Sequence, residues 1–166
     1  MSTNIHLQPI TKSDAELVLK FFQDCTAYFE MEQGKAPDMD TVHNFFDDHP
    51  PTHSLEDKLC LAVYQEGEMI ATIDILQNYA VAHEWMIGLF LLHPSKRRQG
   101  LAQAIHKAIV AKAKAEGAKR LRVGVVTQNK IGQAFWFGLG YQEVKRTPPM
   151  RFGNRDNVII IIQLDV

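Results

Sequence analysis

His93-Pro94-Ser95-Lys96-Arg97-Arg98-Gln99-Gly100-Leu101-Ala102 joins two segments of different periodicity. Upstream, Trp85 to Leu92 is nearly continuous in apolar residues, the pattern of a strand covered on both faces. Downstream, from Gly100 to Glu116, Leu101, Ile105, Ala108 and Ile109 recur at helical spacing, and Gly117 ends the run. A strand therefore ends, a basic turn follows, and a helix opens at a glycine that lets backbone approach a ligand closely. Unpaired N–H groups and the dipole of a helix start favour an anion there, most naturally a phosphate or pyrophosphate. Lys96, Arg97 and Arg98 add mobile positive charge. The alternative is a solvated basic turn whose glycine serves helix–strand packing. The stretch is neither a Walker loop, which needs G-x-x-x-x-G-K-[ST], nor the dinucleotide pattern G-x-G-x-x-G.

Working outward, Ile5 to Ile10 reads as a short strand, and Thr11-x-x-Asp14 and Ser13-x-x-Glu16 are overlapping capping boxes that open a helix. Its stripe is Leu17, Phe21, Cys25, Tyr28 and Phe29, and Gly34 stops it. Asp38 to Asp48 predicts a second short helix carrying Val42, Phe45 and Phe46, ended by Pro50-Pro51. Lys58 to Gln65 and Met69 to Gln77 flank Glu66-Gly67, a β-hairpin pattern. On the carboxyl side, Arg120 to Val126 is a strand and Asn129 to Leu139 a helix capped by Asn129 and terminated at Gly140. Tyr141 to Arg146 and Val158 to Leu164 are two closing strands. Arg151-Phe152-Gly153-Asn154 lies between them, either a loop that selects a ligand or an ordinary connecting loop. The expected order is β-α-α-β-β-β-α-β-α-β-β, a mixed α/β sheet in one domain over residues 1–166.

The chain has 166 residues, 46% hydrophobic and 22% charged, as expected of a globular domain with a sizeable core. No apolar run approaches a membrane span, and the amino terminus carries no signal-peptide pattern. Cys25 and Cys60 lack the spacing of a disulfide scaffold or a zinc ribbon. His43, His49 and His53 lack carboxylates at ligand spacing, so no metal is expected. A cytoplasmic protein is the economical expectation. The net charge of -1 argues against nucleic-acid binding. The charge is unevenly spread: residues 1–60 hold eleven acids and four bases, and the remainder eight acids and fourteen bases. Two faces meeting differently charged ligands would account for this.

Arg97-x-x-Gly100-x-Ala102 resembles the [Q/R]-x-x-G-x-[G/A] signature of the GCN5-related N-acetyltransferases, the GNAT superfamily. Phe90-x-Leu92-x-Pro94 matches the strand leading into that loop. Asn129-x-x-Gly132-x-x-Phe135-Trp136-x-x-Leu139-Gly140-Tyr141 is similar to the family's second block, N-x-x-A-x-x-[LF]-Y-x-x-x-G-F. Both blocks stand in order on the right elements. The resemblance implies acetyl-CoA as donor, a primary amine as acceptor, and direct transfer in a ternary complex. It places Arg97, Arg98, Gln99, Gly100, Leu101 and Ala102 around the CoA pyrophosphate. Backbone of Leu91 and Leu92 would meet the pantetheine arm where the fourth and fifth strands splay apart. Asn129 is either a pantetheine ligand or a plain helix cap, and Trp136 either core or a wall of the CoA site.

One departure matters. The family's common general acid is a tyrosine, and Trp136 stands there; an indole N–H donates a hydrogen bond but gives up no proton. A CoA-binding or sensing module without catalysis is therefore the competing expectation. Glu84 is the candidate base, with His83 behind it, and a bulge at Gly88 would decide which way Glu84 faces. The acidic first third suggests a cationic acceptor. The acceptor's identity and the oligomeric state, a homodimer among the options, stay open.

Overall fold

The computed structural model describes residues 4–166. Its elements are β1 (Ile5–Pro9), α1 (Ala15–Asp24), α2 (Thr26–Gln33), α3 (Met39–Asp47), β2 (Lys58–Gln65), β3 (Glu68–Leu76), β4 (Glu84–Leu92) and α4 (Leu101–Ala115), followed by β5 (Arg120–Val126), α5 (Lys130–Gly138), β6 (Gln142–Arg146), β7 (Met150–Phe152), β8 (Arg155–Asn157) and β9 (Ile159–Asp165). Seven strands form one sheet in the order β1-β2-β3-β4-β5-β9-β6, with β4 in the middle. Every pair is antiparallel except β4–β5, so this is a mixed α/β sheet of the expected class.

Two local departures from the expected order have physical causes. The long first helix breaks at Cys25, where φ/ψ leave the helical region (−105°, 25°). The next residue, Thr26, donates its hydroxyl to the Gln23 carbonyl at 2.6 Å, a local bond that competes with continued helix. Three helices, not two, thus precede β2. The connection around Gly153 is a small β-hairpin, β7–β8, and not a loop. Glu66 and Gly67 both take left-handed φ (52° and 80°), as a tight two-residue hairpin turn requires.

Apolar residues bury both faces. On one, Ile73, Ile75 and Ile87 pack with Leu101, Ile105 and Ile109 of α4 and with Trp136 of α5. On the other, Phe21, Phe22, Phe29, Phe45 and Phe46 of α1–α3 pack over Cys60, Ala62 and Leu91. Both cysteines are free and buried, their thiols pushed up to about 12 by that burial, so neither is a thiolate. Among the described residues no helix is long and apolar enough to cross a membrane.

Candidate functional site

The β4–β5 ladder holds only from Glu84↔Arg120 to Ile87↔Val123, and then stops. The β3–β4 register shifts at the same place, because Asp74 faces Leu89 while Ile75 faces Ile87. Gly88 is the residue left over. It is paired on neither side and is exposed in the middle strand of a seven-stranded sheet. Beyond it, the edge of Leu89 to Leu92 that faces β5 has no strand partner among the described residues. An opening therefore lies in the sheet where unpaired backbone can meet an extended ligand.

The strand runs from that opening into the basic turn. A short 3-10 turn, Pro94–Lys96, is followed by Arg97 to Gly100, all exposed. Arg98 and Gly100 both have left-handed φ (62° and 73°). A Cβ at Gly100 would enter open space, with no atom within 4 Å. The first helical bond of α4 runs from Ala104 N–H to Gly100 O (3.2 Å), so the N–H groups of Leu101 and Ala102 point out of the helix. A concave, positively charged turn with free amides suits a pyrophosphate. The contributions differ by residue. Leu101 is buried in the core and offers only its backbone, whereas Gln99 spends its side chain on Ser95 O (3.1 Å).

Across the opening, Asn129 caps α5: its Oδ1 accepts from Gly132 N–H at 2.9 Å, which leaves only its Nδ2 for another partner. Trp136 is buried in an aromatic cluster, with ring centroids 5.4 Å from Phe90, 5.8 Å from His106 and 5.1 Å from Tyr141. His106 and Tyr141 share a buried hydrogen bond of 2.9 Å. Burial holds the His106 ring below its usual range and the Tyr141 phenol above its own, so it favours the neutral form of both.

Glu84 lies at the far end of β4, eight residues from Leu92, a span of roughly 26 Å at ~3.3 Å per residue. It is 1% exposed, within 3.6 Å of Arg120 and 3.2 Å of Arg122, and accepts from Ala80 N–H at 3.3 Å. The bulge does set its facing: Glu84 shares the α1–α3 side of the sheet with Leu91, opposite Phe90 and Leu92. His83 stands beside it in an exposed loop with left-handed φ (68°).

Another carboxylate is nearer the opening. Asp74 reaches across Gly88, whose Cβ would lie 3.3 Å from Asp74 Oδ2; a larger residue there would crowd the acid. Lys58 Nζ is 3.3 Å from the same oxygen and donates to Asp48 O at 2.6 Å, its side chain only 4% exposed. Burial pushes the Asp74 carboxyl up to about 6, and Lys58 holds it back from rising further. Sequence reading passed over Asp74. Its signal is an acid in the mostly apolar run Met69 to Leu76, two residues along the hairpin register from Lys58, which pairs with Leu76 while Asp74 pairs with Cys60.

The Acetyltransferase (GNAT) family profile matches residues 19–141, and the chain belongs to that family of acyltransferases. No curated protein is a sequence match. Among solved structures, an acetyltransferase from Thermus thermophilus superposes with a TM-score of 0.81 at 20% identity, covering 100% of both chains. The ribosomal-protein-S18-alanine N-acetyltransferase of Escherichia coli gives 0.70 at 18% identity, covering 98% of this chain and 94% of its own. Spermidine N-acetyltransferase of Vibrio cholerae, solved with CoA and spermine, gives 0.73 at 9% identity over 99% and 96%. At such identities the likeness speaks to the fold.

Proposed function

We propose that this chain transfers an acetyl group from acetyl-CoA to a primary amine by direct attack in a ternary complex. The observation that carries the reading is the unpaired, exposed Gly88 at the sheet opening, on the strand that leads into the open helix start at Gly100. Arg97, Arg98 and the amides of Gly100 to Ala102 would hold the pyrophosphate, and the free edge of Leu91 and Leu92 the pantetheine arm. Asn129 Nδ2 and Trp136 would flank it. When bound, acetyl-CoA supplies a thioester: a C–N bond forms to the amine, the C–S bond breaks, and CoA leaves as thiolate.

The chain's own part is alignment and proton handling. A primary amine is mostly ammonium near neutrality, with a pKa of about 8 for an α-amine and above 10 for a lysine-like one. Asp74 is placed to take that proton, being the carboxylate beside Gly88 and poised for proton exchange near neutrality. Glu84, tied to Arg120 and Arg122, serves instead as their counter-charge. The thiolate takes its proton from solvent, since Trp136 gives none. The acidic residues of the first three helices favour the approach of an ammonium group, which makes capture salt-sensitive.

Trp136 also favours a second reading, a CoA-binding module without turnover. Thiol release from acetyl-CoA with a panel of amines separates the two, and calorimetry on Gly100→Val tests both. Binding is expected to vanish with the valine; unchanged affinity would remove the loop from the site.

A further inference from the structure

We propose that Asp24, His93 and Ser95 form a second acyl-transfer centre, which hydrolyses small uncharged esters by way of an acyl group on Ser95. The three side chains stand in a line. Asp24 Oδ2, at the end of α1, is 3.2 Å from His93 Nε2, and Ser95 Oγ is 2.8 Å from His93 Nδ1. A backbone group assigns the ring tautomer: Ser95 N–H, which can only donate, meets Nδ1 at 3.2 Å. Nδ1 is therefore an acceptor, the ring proton lies on Nε2 toward Asp24, and the Ser95 hydroxyl donates to Nδ1 at the shorter distance. A nucleophile, its base and a carboxylate that orients the base divide the work in this way.

The turn that carries them is held in place. His93 N–H donates to Ile70 O at 2.8 Å, and the half-buried ring packs on Phe21 with centroids 5.9 Å apart. Lys96 N–H donates to His93 O at 2.9 Å, and Gln99 Nε2 to Ser95 O at 3.1 Å. Asp24, His93 and Ser95 all line one cavity of about 300 Å³, bounded by α1 and the β2–β3 turn. Leu17, Phe21 and Met69 give it an apolar wall. Its formal charges cancel, Lys20 and Lys96 against Asp24 and Glu68, which suits an uncharged substrate with a short acyl group. Neither Gly88 to Leu92 nor Arg97 to Ala102 lines this cavity, so it is separate from the sheet opening and its chemistry needs no acetyl-CoA.

The reaction balances with water alone. Ser95 Oγ attacks the ester carbonyl while its proton passes to His93 Nδ1, and Asp24 stabilises the imidazolium through Nε2–H. The ammonium groups of Lys20 and Lys96 in the same cavity favour the oxyanion that forms. The C–O bond to the alcohol then breaks, and the alcohol leaves with the proton from Nδ1. Water attacks the acyl group on Ser95, again losing a proton to His93. The acid departs, and Ser95 Oγ recovers its proton from the ring.

The test uses p-nitrophenyl acetate with the full chain and no acetyl-CoA. Release of p-nitrophenolate should exceed the buffer rate, and peptide mass spectrometry of the stopped reaction should find an acetyl group on Ser95. Ser95→Ala and His93→Gln should each lower the rate by about a hundredfold, and the double variant should be no slower than either, because the two act as a unit. Asp24→Asn should slow release with Ser95 still acetylated. Ser95 and Asp24 are exposed, so their variants keep the test decisive if His93→Gln fails to fold. A wild-type rate no higher than that of Ser95→Ala, a rate unmoved by Asp24→Asn, or acetyl groups on lysines with none on Ser95 would each overturn the inference. Each of these results leaves the transferase reading untouched, since that reading falls only if no amine is turned over with acetyl-CoA.

Discussion

The two ends of β4 are built on opposite terms. At its amino end the strand is laddered to both neighbours and encloses a carboxylate against two arginines, with a neighbouring loop tied down by Glu84 O and Oε1. At its carboxyl end it gives up β5, exposes Gly88 and runs into a turn with two left-handed residues and free amides. The closed end fixes where the open end points. A charge at the closed end should therefore be felt chiefly in stability, and a change at the open end chiefly in binding and rate.

Glu84→Ala should have the largest effect on folding, about 3–5 kcal/mol in chemical denaturation, because it leaves Arg122 enclosed without its counter-charge. A loss below about 1 kcal/mol would mean that the closed end is not held by this cluster. At the open end, Asp74→Asn should lower kcat/KM by about a hundredfold with far less loss of acetyl-CoA affinity. In the wild type the fall of kcat/KM on acidification should steepen below about pH 6, where the carboxyl joins the amine in being protonated. Lys58→Met should move that break upward, because the ammonium is what restrains the carboxyl. A break unmoved by Lys58→Met would take the proton from Asp74.

The same group has a stability signature. Its folded value of about 6 lies above the ordinary 3.8, so the folded state holds the proton more tightly. The stabilisation is fully present below about pH 4 and lost as pH rises through about 6, an order of ~3 kcal/mol in all. Asp74→Asn should flatten that slope. A smaller change is expected from Gly100→Val, about 1–2 kcal/mol of folding stability for a side chain in left-handed backbone, alongside its large effect on binding. Smallest is Arg98→Gly, which should stabilise the fold by about 1 kcal/mol by relieving the φ of 62°, measured as a rise in Tm.

Periodicity and turn chemistry are local, and what they encode was legible: the strand Trp85 to Leu92, the helix opening at Gly100, the turn at Glu66-Gly67 and the cap at Asn129. The break at Cys25 turned on one hydroxyl bond from Thr26, which a stripe of apolar residues does not register. The site divided in the same way. The basic turn before α4 is contiguous in sequence, so its shape could be read directly. Asp74 beside Gly88, and Arg122 against Glu84, depend on a bulge and on strand order, and only the folded register brings them together.

The aromatic cluster around Trp136 gives the molecule its own optical reporter. Trp85, the other tryptophan, is sealed beside the ladder at 3% exposure and should emit as a steady background. Trp136 touches Phe90, on the very strand whose edge lies open, so a ligand entering there changes the surroundings of one indole and not the other. Protonated imidazole quenches a neighbouring indole, but burial keeps His106 neutral to lower pH than an ordinary histidine. The emission baseline should therefore stay level on acidification until that ring finally takes its proton, leaving a clean spectral window in which to watch the opening fill.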